Sequence, residues 1–260
     1  MNFIHSIILG LLEGATEFLP ISSTAHLDLA RSLMGITSNN FIKSFEIFIQ
    51  LGAILAVVVL FWHRLWKNLP LTVGKLATAF APTAIIGFFI YPVFKQYFMG
   101  NTLLMIIMLM VGGLGLIIFE KFYKASPELP GNSLSVISYK QAFVIGCAQS
   151  VAIVPGVSRA AATIIGGLLL KIPRATIVEF SFLLAIPTMA AATGLDLLKS
   201  GWAFNQNQYT LLAIGFITAF ISALVVIHWL IRFVQKHDFA IFGWYRLIIG
   251  FLLLIYFYYR

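Results

Sequence analysis

The feature that most constrains this chain is a series of apolar stretches, each long enough to cross a bilayer. A transmembrane helix needs about 20 mostly apolar residues, so each stretch predicts one span. Only 10% of the 260 residues are charged, which leaves no room for a soluble domain. We therefore predict an all-α polytopic membrane protein with a single integral membrane domain, residues 1–260. The six predicted spans lie near residues 44–63, 76–94, 102–119, 177–198, 209–231 and 240–258.

Two further apolar stretches, residues 3–34 and 141–170, are interrupted near their middle by proline and polar side chains. Pro20 interrupts the first stretch, and Pro155 interrupts the second. A broken helix at membrane depth is tolerated only where it is buried in protein or lines a cavity. We therefore expect both stretches to form re-entrant helical hairpins that enter and leave the membrane by the same face.

The two halves of the chain resemble each other weakly, although chance similarity is an alternative. Each half, residues 1–125 and 138–260, holds one hairpin and three spans. Because three is odd, the second half is expected to be inverted, so that the hairpins enter from opposite faces and their tips meet. With one gap, the segments GLLEGATEFLPISST and GCAQSVAIVPGVSR align Gly10 with Gly146, Glu13 with Gln149, Pro20 with Pro155 and Ser23 with Ser158.

Lysine and arginine are unevenly distributed between the two sets of loops. They are more frequent after the first, third and fifth spans and after the second hairpin than in the other loops. Under the positive-inside rule the richer set faces the cytoplasm, so both termini face outward. The net charge of +8 is then explained by these loops and by an anionic substrate or lipid surface, rather than by nucleic acid.

The first hairpin carries EGATEFLPISSTAH, residues 13–26, a polar cluster in an apolar stretch. Glu13 and Glu17 are four residues apart, so they share one face of a helix. Two negative charges repel each other strongly in an apolar environment, so either one carboxylate is protonated or a cation lies between the two. A hard divalent cation with oxygen ligands matches two carboxylates and nearby hydroxyls. The alternative is a structural hydrogen-bond cluster that locks the hairpin.

Hydroxyl groups and a histidine follow Pro20 in the same segment. Ser22, Ser23 and Thr24 fall where the returning helix begins, and such a helix start can bind an anion. The same residue types are also common N-caps with no further role. His26 lies in the first turn of that helix, where it could take a proton from Ser23 or water, or attack directly.

The second hairpin repeats this pattern in PGVSRAAAT. Ser158 is expected to cap the returning helix, and Arg159 offers a planar charged fork suited to phosphate oxygens. Such an arginine needs a partner, which we expect to be Glu13 or Glu17 at rest and phosphate when substrate is bound. Carboxylates, a guanidinium and a Ser/His pair together suit metal-assisted phosphoryl transfer.

Arg246, in the segment FGWYRLIIG, lies too deep in its predicted span to be a loop charge. A charge at that depth is costly unless it is paired or reaches the interface. We expect it to pair with an acidic group or to extend to the outer interface.

The two polar segments together resemble the signature motifs of undecaprenyl-diphosphate phosphatases of the bacitracin-resistance type, and FEIFIQLGAILAVVVLFW and EFSFLLAIP resemble further family segments. The resemblance implies a bacterial inner-membrane enzyme that hydrolyses undecaprenyl diphosphate to undecaprenyl phosphate and inorganic phosphate. That reaction recycles the lipid carrier of peptidoglycan synthesis and confers bacitracin resistance. The resemblance also implies a divalent cation, Mg²⁺ or Ca²⁺, a site open to the periplasmic face, and inverted repeats with two re-entrant hairpins.

The family's functional residues can be carried over by motif, with the nucleophile left open between serine, histidine and water. The family commonly has a second serine where this chain has Ala160, so any role of that hydroxyl is lost. By motif, metal binding falls on Glu13 and Glu17, catalysis on Glu17, Ser23, His26 and Arg159, and substrate binding on Ser22, Thr24, Ser158, Arg159 and Thr163.

Two alternatives remain from the sequence. Another class of lipid phosphatases requires histidine at the position of Ile165, so that class is disfavoured. A polyprenyl-phosphate flippase could use the same site, because inverted repeats and broken helices are also typical of transporters. The expected partners are a polyprenyl diphosphate and membrane lipids, and a homodimer is one option for the oligomeric state.

Overall fold

The structure is a computed structural model that describes residues 1–67, 69–97, 101–124, 134–200 and 204–259. These residues form helices joined by short connections, with no strand among them. The all-α prediction is therefore confirmed. The helices are α1 Phe3–Thr16, α2 Ser23–Leu33, α3 Asn40–Lys67, α4 Leu69–Tyr97, α5 Thr102–Phe122, α6 Tyr139–Ser150, α7 Arg159–Leu169, α8 Arg174–Ser200, α9 Gln206–Val234 and α10 Ala240–Tyr258.

Six of these helices, α3, α4, α5, α8, α9 and α10, are long and apolar enough to cross a membrane. The six spans predicted from the sequence lie within them, so a multi-pass membrane protein is confirmed. Two short helices precede three long ones in the described part of each half. The inverted relation of the halves, and their division at residues 1–125 and 138–260, stay predictions; residues 125–133 and 260 lie outside the described part of the chain.

Both interrupted stretches are broken helices, as the sequence predicts. Between α1 and α2 the chain passes Pro20 and then Ser22, whose φ of 70° lies in the left-handed region. Between α6 and α7 it passes Pro155 and Gly156, whose φ is 87°. A side chain at Gly156 would also collide with the carbonyl oxygen of Met105 on α5, so the glycine allows this tip to lie directly on α5.

Contacts at the open ends of the hairpins relate them to the long helices. Gln141 Nε2 on α6 lies 3.4 Å from the carbonyl oxygen of Leu170, so the second hairpin ends beside its own start. Near that start, Lys75 of α4 donates to the carbonyl of Leu134. At the first hairpin, Met1 and Ile36 belong to one apolar cluster that also includes the beginnings of α3 and α9.

Each hairpin packs closely on a long helix of the other half. Helix α1 lies against α9, and α6 lies against α4. Gly10 and Gly14 face α9, where an added side chain would collide with the backbone carbonyls of Gly215 and Ala219 respectively. Small residues four apart allow two membrane helices to approach this closely. The helix that carries Glu13 is therefore held at a fixed distance from α9.

An aromatic contact fixes the first tip against α8. Phe18 is fully buried, and its ring meets Phe182 edge-on, with centroids 5.3 Å apart and planes at 78°. Such edge-to-face pairs contribute about 0.5–1.5 kcal/mol beyond their buried area. Because Phe18 follows Glu17 directly and Phe182 follows Ser181, the contact holds the segment that carries Glu17 against the segment of α8 that carries Ser181.

Candidate active site

The centre of the candidate site is Glu17, a buried carboxylate that links the two hairpins. Its Oε2 accepts a hydrogen bond from the hydroxyl of Ser23, the first residue of α2. Its Oε1 lies 3.4 Å from Nη2 of Arg159, the first residue of α7. The structure therefore brings together the acid of one hairpin and the guanidinium of the other, as the sequence predicts, and it selects Glu17 as the arginine's partner.

A second contact orients the guanidinium, and a serine joins the two tips. Nη1 of Arg159 donates to the backbone carbonyl of Ser181 at 2.8 Å, while Nε has no hydrogen-bond partner among the described residues. Ser158 caps α7 by accepting from Ala161 N at 3.2 Å, which confirms its predicted capping role. Its hydroxyl also lies 3.4 Å from the carbonyl oxygen of Leu19 on the first tip.

Glu13 lies one helical turn before Glu17 and has no exposed surface. Neither of its carboxylate oxygens accepts from a donor group in the described part of the chain, and the only side chain placed to share a hydrogen bond with it there is the carboxylate of Glu17. It interacts electrostatically with Glu17 and Glu46, which repel it, and with Arg159, which attracts it. A buried carboxylate without donors is costly, so this arrangement requires a bound proton or cation.

His26 is held by groups other than Ser23. Its Nδ1 lies 2.8 Å from the carbonyl oxygen of Ser22, and its Nε2 lies 2.9 Å from the hydroxyl of Tyr245 on α10. The imidazole also stacks on the Tyr245 ring, with centroids 5.6 Å apart and planes at 4°. The Ser23 hydroxyl donates to Glu17 and not to His26. The structure therefore does not place His26 to take the proton of Ser23, as the sequence analysis considered.

The remaining hydroxyls of the two motifs have different environments. Thr163 is fully buried and lies one helical turn after Arg159, and its Oγ1 lies 2.6 Å from Oγ of Ser181 on α8. Ser22 is buried and offers its carbonyl to His26, whereas Thr24 is exposed. Their roles in substrate binding stay predictions.

Arg246 is the residue that sequence reasoning placed least well. It is 1% exposed and bonds to backbone carbonyls rather than to an acid or the interface, so both expectations for it are wrong. Sequence reasoning did not identify Ser181 or Tyr245 as residues of the site. For Tyr245, its position next to Arg246, a charged residue inside an apolar span, could have indicated a role in the site. The four carbonyls that Arg246 contacts are those of Leu109 at 2.9 Å, Pro20 at 3.4 Å, Met108 at 3.2 Å and Gly156 at 2.9 Å.

Comparisons with known proteins give one consistent result. Residues 6–252 match the family model described as bacitracin resistance protein BacA. The chain is 47% identical over 246 residues to an undecaprenyl-diphosphatase of Aquifex aeolicus, covering 95% of each protein. It is 48% identical over 256 residues to an undecaprenyl-diphosphatase of Persephonella marina, covering 98% of this chain and 99% of the relative. An undecaprenyl-diphosphatase of Campylobacter jejuni is also 48% identical, over 252 residues that cover 96% of this chain and 93% of the relative.

Proposed function

The chain belongs to the bacitracin resistance protein BacA family, and we propose that it is an undecaprenyl-diphosphatase. It hydrolyses the terminal phosphoanhydride of undecaprenyl diphosphate, which yields undecaprenyl phosphate and inorganic phosphate. The names of its relatives favour this hydrolase over the flippase alternative, because each is named for the hydrolysis. The same reaction accounts for the family's description as bacitracin resistance proteins.

One observation carries the proposal: Glu17 contacts Ser23 from its own hairpin and Arg159 from the other. The first contact pairs a base with a nucleophile, and the second sets a fixed positive charge beside that pair. Phosphoryl transfer depends mainly on such positioning and on charge stabilisation. Nε of Arg159, which has no partner among the described residues, is free to donate to a phosphate oxygen.

Ser23 is the nucleophile that the contacts favour. Its oxygen attacks the terminal phosphorus while its proton passes to Oε2 of Glu17, and the bond from that phosphorus to the bridging oxygen breaks. Undecaprenyl phosphate leaves with the bridging oxygen. Water then attacks the phosphorus of the phosphoserine, and the bond from that phosphorus to the Ser23 oxygen breaks. Glu17 returns its proton to the Ser23 oxygen, and inorganic phosphate leaves with both hydrogens of the water. Arg159 balances the charge that develops on the phosphoryl oxygens in both steps.

A divalent cation, Mg²⁺ or Ca²⁺, fits the donor set around Glu13. Two carboxylates, Glu13 and Glu17, lie one helical turn apart, and the oxygens of Glu13 lack hydrogen-bond donors among the described residues. No third acidic, histidine or cysteine side chain joins them in the described chain, so phosphate oxygens and water would complete the coordination. When bound, such an ion neutralises negative charge on the diphosphate.

The proposed location is the bacterial inner membrane, with both termini and the site's opening on the periplasmic face. The distribution of lysine and arginine supports this orientation. Opposite entry of the two hairpins is supported by their end contacts. The first hairpin shares an apolar cluster with the start of α3, whereas Lys75, near the start of the following helix, contacts the segment before the second hairpin. A homodimer stays a prediction that light scattering of the purified protein measures.

Phosphate release from undecaprenyl diphosphate by the purified protein tests the proposal. We expect multiple turnovers with Mg²⁺ or Ca²⁺ and loss of activity with EDTA. Arg159→Ala and Glu17→Ala should both lose nearly all activity and still insert. Arg232→Ala is the matched control, because Arg232 lies near the end of α9, outside the site, and is exposed. Wild-type protein that moves the lipid between leaflets but releases no phosphate would overturn the proposal in favour of transport.

A further inference from the structure

Two adjacent residues of α10 contact the site in different places. Tyr245 meets His26 on the first hairpin. Arg246 meets the first tip through the carbonyl of Pro20 and the second tip through the carbonyl of Gly156. Neither residue belongs to the two polar motifs, and both lie on one turn of a membrane-spanning helix.

Arg246 joins three segments that are far apart in the sequence: the first hairpin tip, the second hairpin tip and α5. Its guanidinium donates to both tips and to Met108 of α5, and its Nε donates to Leu109 of the same helix at 2.9 Å. Hydrogen bonds from a charged donor contribute about 1.5–3 kcal/mol each, and a planar guanidinium fixes the directions of several at once. The separation of the two tips, and hence of Ser23 from Arg159, is therefore set through α5 and α10.

Space for this guanidinium comes from a glycine on α5. A methyl group at Gly112 would collide with Nη2 and Cζ of Arg246. At Gly115, one turn further along the same helix, no atom lies within 4 Å of an added methyl group. The two glycines therefore differ in whether a side chain would displace Arg246.

The Ser22 carbonyl determines which nitrogen of His26 carries the proton, and Tyr245 binds the other nitrogen. A carbonyl oxygen only accepts, so Nδ1 beside the Ser22 carbonyl must carry hydrogen. In the neutral ring Nε2 is then the acceptor, and it receives the hydrogen bond of the Tyr245 hydroxyl. The stacked rings hold the plane of the imidazole at the same time.

We propose that Tyr245 and Arg246 are positioning residues of the site: Tyr245 holds the ring plane of His26 and donates to its Nε2, and Arg246 fixes the distance between the two hairpin tips. The proposal rests on the phosphatase function proposed above. Neither side chain is required to touch the diphosphate. Their removal should therefore lower kcat more than it raises KM.

Tyr245→Phe tests the first part, because it keeps the ring and removes only the hydroxyl. We expect kcat to fall about tenfold while KM changes less than about twofold, because His26 binds the carbonyl of Ser22, the residue before the Ser23 nucleophile, and misplacement of a reacting group mainly costs rate. Nitrogen NMR of histidine-labelled protein should show a changed Nε2 resonance, assigned by its absence in His26→Gln. Tyr258→Phe, an exposed phenol on the same helix, should alter neither quantity. An unchanged His26 spectrum in Tyr245→Phe would overturn this part.

Arg246→Lys and Gly112→Ala test the second part. Lysine keeps the charge but cannot span four carbonyls, and the Gly112 methyl group displaces the guanidinium while every carbonyl stays in place. Both should lower kcat about 10- to 100-fold. Gly115→Ala and Arg232→Lys are the matched controls and should behave as wild type. Wild-type kcat in Gly112→Ala contradicts the role of Arg246, and that variant decides the question should Arg246→Lys fail to fold.

The two proposals can fail separately. If the wild-type protein releases no phosphate, the phosphatase function fails, and the histidine spectrum of Tyr245→Phe still decides the role of Tyr245. Full phosphatase activity in the wild type, Tyr245→Phe and Gly112→Ala alike would instead retain the function and reject both positioning roles.

Discussion

The hydrogen bond between Glu17 and Ser23 leads to a double-variant experiment. Glu17→Gln keeps the side-chain volume but removes the base, and it leaves Arg159 without its carboxylate. General-base catalysis contributes about 10²–10⁴-fold, which corresponds to about 3–5 kcal/mol in the activation free energy. Ser23→Ala removes the hydroxyl on which that base acts. Each single variant should therefore lower kcat by about two to four orders of magnitude.

The combined variant shows whether these two residues act as a unit. If Glu17 acts through Ser23, Glu17→Gln with Ser23→Ala should be no slower than the slower single variant, within about threefold. The assay is phosphate release at saturating divalent cation, with trapping of a phosphorylated protein as an additional readout. Glu179→Gln is the matched control, because Glu179 is also buried and paired with an arginine, Arg64, but outside the site. Losses that multiply in the double variant would refute the shared role.

Three further predictions concern neighbouring residues. Arg159→Lys keeps the charge but cannot bridge Ser181 and Glu17 together, so kcat/KM should fall about 10- to 100-fold in the phosphate-release assay, as expected for one lost charged hydrogen bond. A wild-type kcat/KM in Arg159→Lys would show that the site does not require a guanidinium at this position. Glu13→Gln should raise the Mg²⁺ concentration for half-maximal activity by about tenfold or more, and an unchanged cation titration would exclude Glu13 as a ligand. Gly14→Val should destabilise the protein by about 1–3 kcal/mol, because its side chain meets the α9 backbone, and Gly194→Val, which faces open space, should leave Tm nearly unchanged in a thermal melt.

The spans and the hairpin breaks could be predicted because each depends on local sequence. A run of apolar residues is required to cross the bilayer, and a proline among polar residues cannot continue a helix. Pro20 and Pro155 therefore located both breaks without knowledge of the fold. The pairing of Arg159 with Glu17 followed from the need to compensate a buried charge, although the sequence could not distinguish Glu17 from Glu13.

The contacts of Arg246 and Tyr245 could not be predicted, because they involve segments far apart in the sequence. Backbone carbonyls are present at every residue, so no side-chain pattern shows which of them an arginine will find. The partner of His26 is separated from it by 219 residues. Such contacts depend on how α10 packs against α5. The apolar residues of the two helices do not by themselves specify this packing.

The weak repeat becomes informative when the two hairpins are compared position by position. Where the first has Glu13, the second has Gln149, whose amide donates to Thr83 at 2.9 Å. Where the second has Arg159, the first has Thr24, which follows the aligned Ser23. Each buried charge requires compensation, and one guanidinium can balance one carboxylate at the junction of the tips. Glu13 and Glu17 already place two carboxylates beside this one guanidinium, so Glu13 requires a proton or a cation, and a glutamate in place of Gln149 would add a third charge. Two similar hairpins therefore provide one asymmetric site rather than two equal ones.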